Sequence, residues 1–186
     1  LQALKANAPD LGANPEMLAF VQNYTDMGFL SIILFLFIGA ILTMIVQASA
    51  ATMAITLIMC ANGWIDYHLG VALVLGENIG TTITANLAAL TGNTQSRRAA
   101  LAHLVFNIFG VMWVLVLFYP FTAAVSWFVT DVMNISDPAV AVSFKLAAFH
   151  TAFNISNTFI MIWFVGLIEK TVCFLIKGKK DEDEEY

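Results

Sequence analysis

Two long apolar runs in this chain are interrupted by small, hydroxyl-rich sequence, and this limits what the chain can become. The first interruption is Gln47-Ala48-Ser49-Ala50-Ala51-Thr52, and the second is Gly76-Glu77-Asn78-Ile79-Gly80-Thr81-Thr82-Ile83-Thr84. Both are flanked by sequence suited to lipid. Lipid offers no hydrogen bonds, so polar groups and irregular backbone at that depth need protein, water or an ion beside them. Two such breaks within roughly 30 residues point to one shared polar site, of the kind that broken helices build near a bilayer midplane.

Composition supports a membrane setting. The chain is 60% hydrophobic and only 11% charged, against about a quarter charged in ordinary globular chains. The net charge of −5 comes largely from Asp181-Glu182-Asp183-Glu184-Glu185 and says little about partners. No basic patch supports nucleic-acid binding. Leu1 to Gln22 lacks the pattern of a signal peptide, and a start at Leu1 reads as a piece of a longer chain. Cys60 and Cys173 lie in separate apolar runs and read as packing residues.

Taken in order, residues 1–26 read as a polar extramembrane segment, punctuated by Pro9, Gly12 and Pro15. Met27 to Val46 is almost unbroken apolar sequence. Met53 to Ala61 is apolar but far shorter than the roughly 20 residues a span needs. A descending helix, a polar tip and a short return predict a re-entrant helical hairpin over 27–61. Asn62 to His68 reads as interfacial, with Trp64 and Tyr67 at headgroup level. Residues 69–90 could span, but Gly76 and Gly80 permit unwinding, so a discontinuous helix is expected there. Ala99 to Tyr119 and Ala139 to Leu167 are further spans, with Phe121 to Val129 a short apolar piece between them. The transmembrane part is expected over 27–170, with a charged tail over 171–186.

The loops argue an orientation. Arg97 and Arg98 lie on one side, and Lys177, Lys179 and Lys180 return to it after two crossings. Asp131 and Asp137 lie in the loop between. The positive-inside rule places the Arg97 loop and the C-terminus in the cytoplasm.

Gln47, Ser49 and Thr52 bring an amide and two hydroxyls to the hairpin tip. Asn78, Thr81, Thr82 and Thr84 repeat that chemistry in the second break. Oxygen ligands suit hard cations, and free N–H groups at a helix start suit an anion. Alone, such hydroxyls often do no more than bond their own helix. Glu77 is the most informative residue, because an acid inside a membrane segment is costly and functional by default. Beside an oxyanion it would repel, so it is expected to face a cation or to carry its proton. Its bland role is a partner for a nearby amide or hydroxyl. His-x-x-Phe-Asn occurs as His103 to Asn107 and as His150 to Asn154. Each sets His and Asn on one helix face, read first as interhelical hydrogen bonding. No catalytic triad or metal-hydrolase helix motif is evident, so the chain does not read as an enzyme.

These residues carry a resemblance. Gln47-Ala48-Ser49-Ala50 and Asn78-Ile79-Gly80-Thr81-Thr82 are similar to the Gln-Ser-Ser-Ser-type and Asn-Ile-Gly-Thr-Thr motifs of the sodium/phosphate cotransporter family, the type II-like symporters. The stretch Arg97 to Asn107 resembles the family's continuation. The likeness covers most of Phe29 to Phe109 and runs more weakly to Ile168. Ala48 and Ala50 depart from the serines of the family pattern, and Glu77 stands where an uncharged residue is common.

The resemblance implies an all-α membrane protein forming one repeat, the second, of an inverted-repeat symporter in the cell (inner) membrane. The implied function is sodium-coupled phosphate symport by alternating access. Sodium would be the coupling ion, with no other cofactor. Phosphate would fall to Gln47, Ser49, Thr52, Asn78, Thr81 and Thr82, and sodium to Gln47, Ser49, Glu77, Asn78 and Thr81. Implied partners are the bilayer, the other repeat and a PhoU-like cytoplasmic domain. The competing readings are a sodium/dicarboxylate-type symporter and a non-transporting membrane subunit that recruits a phosphate-signalling domain.

Overall fold

A computed structural model describes residues 24–178. Most of the expected polar segment 1–26 and the acidic end of the expected tail lie outside the described residues. Every described element is a helix. They are α1 (Phe29–Val46), α2 (Ser49–Ala61), α3 (Tyr67–Ala89), α4 (Thr94–Val116), α5 (Phe118–Trp127), α6 (Pro138–Met161) and α7 (Val165–Leu175). A π turn (Phe128–Val132) follows α5, and a 3-10 turn (Ile162–Phe164) joins α6 to α7.

Local chemistry sets the ends. Gln47 stops α1 in a left-handed conformation (φ 56°, ψ 24°), and its N–H donates to Thr43 O at 2.7 Å. This is a left-handed helix cap. Ala48 is extended, and its carbonyl accepts from Ala51 N and Thr52 N to start α2. Asp66, Asn93 and Asp137 cap α3, α4 and α6, each accepting backbone N–H groups of the first turn, as short polar side chains do. The span expected to run to Tyr119 ends instead at Val116. Proline clashes with the carbonyl four residues before it and lacks an N–H. For Pro120 that carbonyl belongs to Val116, so Pro120 falls in the first turn of a new helix.

Glycine contacts reveal the relative directions. Gly39 lies against Leu73, Gly76 against Leu36 and Ala40, and Gly80 against Ala40 and Thr43, so α1 and α3 run side by side in one direction. Gly70 faces Cys60, and Glu77 meets Thr56, so α2 runs opposite to α3. The arms α1 and α2 are therefore an antiparallel hairpin with its tip at Gln47-Ala48.

The discontinuous helix expected over 69–90 is not formed. The helix α3 is continuous from Tyr67 to Ala89. A Cβ on Gly76 would run into Leu36 O and lie 2.7 Å from Ala40 N, and one on Gly80 would lie 2.9 Å from Thr43 Cβ. These glycines are contact points that let two helix backbones approach, as small residues do in membranes. The polar groups need no unwinding either. Asn78 Nδ2 donates to Val74 O, Thr81 Oγ1 to Glu77 O, Thr82 Oγ1 to Ile79 O and Thr84 Oγ1 to Thr81 O.

The centre of the molecule is α3, packed against α1, α2, α4 and α6. Leu69 to Glu77 are all buried. By length and composition, α1, α4 and the run Pro138–Leu175 could cross a membrane. The more polar α3 is not among these, and its neighbours shield it from lipid. Ile45, Val116, Phe159, Trp163 and Phe174 are exposed, an outer surface suited to acyl chains. Arg98 Nε donates to Ile176 O at 3.0 Å. The Arg97 loop and the end of α7 therefore share one end of the molecule.

Candidate functional site

The hairpin tip and the hydroxyl-rich part of α3 arrive at the same level. Thr43 packs on Gly80, and α1 and α3 run in the same direction. Gln47, four residues beyond Thr43, therefore lies beside the turn around Thr84. The tip stops about 8 Å short of the C-terminal end of α3, at 1.5 Å per helical residue. Gln47 and Ser49 are exposed there, while Asn78 and Thr81 are half-buried and Thr82 is buried.

The buried side of the tip is tied down. Thr52 is fully buried, and its Oγ1 donates to Ala48 O at 3.3 Å. One turn further along α2, Thr56 is also fully buried and donates Oγ1 to Glu77 Oε1 at 2.8 Å. Glu77 itself is 4% exposed. The carboxyl of Glu77 thus faces the return arm of the hairpin, roughly 10 Å along the helix axis from the tip. This matches the bland role weighed for it, a hydroxyl's partner. Threonines 52 and 56 share one face of α2, so a polar track runs from the Glu77 carboxyl toward the tip.

The structure therefore gathers the sequence-predicted residues into two groups. Gln47 and Ser49 share the exposed tip, with Thr81 and Thr84 near its level. Glu77 forms a separate buried pair with Thr56, while Asn78 bonds back to Val74 O. Among the described residues, no three His, Cys, Asp or Glu side chains cluster to hold a metal ion. A cation at the tip would be held by hydroxyl, amide and backbone oxygens, chemistry that suits a hard cation.

The His-x-x-Phe-Asn reading is corrected. Asn107 and Asn154 donate to His103 O and His150 O, four residues back in their own helices. The interhelical bonds belong to Asn157. It is fully buried, donates Nδ2 to Phe106 O at 2.9 Å and accepts from Trp113 Nε1 at 3.2 Å. It packs on Gly110, joining α6 to α4. Asn86 works similarly, donating to Thr82 O in α3 and Ala100 O in α4. Sequence reasoning missed Thr56, Asn86 and Asn157. The available signal was a polar side chain alone in an apolar helix, which in a membrane needs a partner. For Thr56 there was also its four-residue spacing from Thr52.

The chain is similar in sequence to known proteins. The family model described as Na+/Pi-cotransporter matches residues 11–182. An uncharacterized protein of Bacillus subtilis, YqeW, is 35% identical over 144 residues, covering 77% of this chain and 44% of that protein. Sodium-dependent phosphate transport protein 2B of Rattus norvegicus is 41% identical over 97 residues, covering 50% of this chain and 13% of that protein. A Salmonella typhimurium protein named "Putative inorganic phosphate export protein YjbB" is 26% identical over 147 residues, covering 78% of this chain and 25% of that protein. The chain spans less than half the length of each of these relatives. No solved structure matches the chain. With a model match across most of its length, the chain belongs to the Na+/Pi-cotransporter family, a family of membrane transporters and not of enzymes.

Proposed function

We propose that this chain is one repeat of a sodium-coupled inorganic phosphate symporter that works by alternating access. The observation that carries the reading is the exposed hairpin tip, Gln47 to Ser49, set beside the hydroxyl-rich turns of α3 and short of that helix's end. Such a tip brings an amide, a hydroxyl and the first N–H groups of α2 together on an exposed surface. N–H groups at a helix start favour an oxyanion, and the oxygens favour sodium. A second, inverted repeat completes the site from the other side. Sodium binding raises phosphate affinity, and by linkage phosphate raises sodium affinity by the same factor.

In this reading the hairpin is re-entrant, entering and leaving by the face that carries Asp66. The Arg97 loop and the chain end lie in the cytoplasm, where a PhoU-like domain would attach, and the membrane is the cell's inner membrane. Gln47, Ser49 and Thr81 contact the ions directly. Thr52 and Thr82, both fully buried, hold the backbone around them. Glu77 and Asn78 shape the site from behind, with Glu77 contributing an acidic group at the far end of the polar track of Thr52 and Thr56.

The test is radiolabelled phosphate flux into proteoliposomes containing the full-length parent protein. An inward sodium gradient should drive uptake, and replacing sodium with potassium should abolish it. Flux indifferent to sodium would overturn the coupling, and a preference for succinate would transfer the reading to dicarboxylates. The name of the Salmonella relative supports a second reading, net phosphate efflux. Efflux from preloaded vesicles without a sodium gradient would establish that one.

A further inference from the structure

Between Asp137 and Glu169 the chain carries a single charged residue, Lys145. It sits in α6, about 10 Å along the helix from Pro138 at 1.5 Å per residue. A charge within so apolar a helix is costly unless it has a partner or a task. Lys145 is half-buried, and its ammonium lies 5.9 Å from the centre of the Tyr67 ring, on the first residue of α3. The Tyr67 hydroxyl donates to Thr122 O of α5 at 3.4 Å. The ring is thus held where α3, α5 and α6 meet. Among the described residues it is the ammonium's one partner. A cation over a ring at about 6 Å is at the limit of that interaction, and it leaves three N–H donors without an acceptor.

The acids near this end are engaged elsewhere. Asp66 accepts from Leu69 N at 2.8 Å, Asp131 from Thr130 Oγ1 at 2.7 Å, and Asp137 from Ala139 N at 2.9 Å. Beside Tyr67, the rings of His68, Phe118 and Tyr119 pack on one another and bring no carboxylate. An ammonium with unused donors, at the level of an interfacial tyrosine, suits an oxyanion as a point charge. The hairpin tip lies about 25 Å away along α3, so this is a separate point on the molecule.

We propose that Lys145 is a docking point for a phosphate group at the Asp66 end of the bundle. That group comes from free phosphate at the membrane face or from the headgroup of an anionic phospholipid. Free phosphate held here would wait at the face from which the hairpin enters, which raises its local concentration before it reaches the tip. This arm rests on the transport reading, and the lipid arm does not.

The experiment uses the full-length parent and two variants. Lys145→Met keeps the unbranched stem beside Tyr67 and removes the charge, and Lys145→Arg restores a cation. Thermal melting shows that each is folded. Proteoliposomes report phosphate flux against phosphate concentration at fixed sodium, and native mass spectrometry reports retained phosphatidylglycerol. Lys145→Met should raise the KM for phosphate about tenfold, the scale of one hydrogen bond to a charged group, with a smaller change in kcat. The difference should shrink as ionic strength rises, and Lys145→Arg should behave as wild type. An unchanged KM with about tenfold weaker retention of phosphatidylglycerol would support the docking point with lipid as the source. Wild-type protein without phosphate flux would defeat the transport reading alone, and lipid retention would then decide the site. Lys145→Met matching wild type in both measurements, or lowering kcat with KM constant, would overturn the proposal and leave Lys145 as a packing partner of Tyr67.

Discussion

Thr56 donates its hydroxyl to Glu77 Oε1 at 2.8 Å across the interface between the hairpin's return arm and the central helix. Both residues are buried, and Thr56 is fully so. This bond fixes α2 against α3 at the one acidic side chain buried in the bundle among the described residues. Thr56→Val would leave the carboxyl without that partner. We expect a loss of about 1–3 kcal/mol, the cost of orphaning a buried polar group, read as a lower melting temperature of the purified full-length protein. An unchanged melting temperature would show that the pair carries no stability.

Glu77→Gln removes charge while keeping shape and an acceptor for Thr56. If the charge serves the cation, the apparent sodium affinity of uptake should fall roughly 5- to 150-fold, corresponding to about 1–3 kcal/mol. Phosphate affinity at saturating sodium should change less. A sodium dependence identical to wild type, with only stability altered, would restrict Glu77 to the structural pair.

The hairpin tip separates backbone from side-chain effects. Gln47 holds a left-handed conformation, which costs an L-residue roughly 1–2 kcal/mol and glycine little. Gln47→Gly should therefore preserve or raise thermal stability and still lower sodium-dependent uptake, because the amide is lost. Ser49→Ala should lower uptake without changing the amount of protein in the membrane. Wild-type uptake in both variants would reduce the tip to a turn.

The glycines offer a direct contrast. Gly76→Ala drives a methyl into the backbone of α1, and Gly39→Ala does the same to the carbonyl of Leu73. Each should destabilise by about 1–3 kcal/mol, the usual cost of overpacking. Gly166 has nothing within 4 Å of its would-be Cβ, so Gly166→Ala should be neutral or stabilising by up to about 1 kcal/mol. Comparable melting temperatures for Gly76→Ala and Gly166→Ala would contradict the close approach of α1 and α3.

Accessibility labelling checks the topology. Single cysteines replacing Gln95 and Lys177 should react from one side of the membrane, as the bond from Arg98 to Ile176 requires. Cysteines at Asp66 and Asp137 should react from the other. Labelling of Asp66 and Gln95 positions from the same side would contradict a membrane crossing by α3, the helix between them.

Hydropathy and length by themselves determined that this is a helical membrane chain, and the resemblance of its motifs pointed to the family that the family-model match shows. Both signals are local, since lipid demands apolar runs of a certain length whatever they pack against. The cap residues Asp66, Asn93 and Asp137 likewise act within a few residues of themselves. Only the tertiary structure decided the role of Gly76 and Gly80. In sequence, a glycine that permits unwinding looks the same as one that admits a neighbouring backbone, and here α1 occupies the space. It likewise decided that Glu77 meets Thr56, 21 residues away in sequence, and that Asn157, rather than Asn107 or Asn154, bridges two helices. A buried polar side chain must find a partner, but which partner depends on helix directions and rotation that no local pattern encodes.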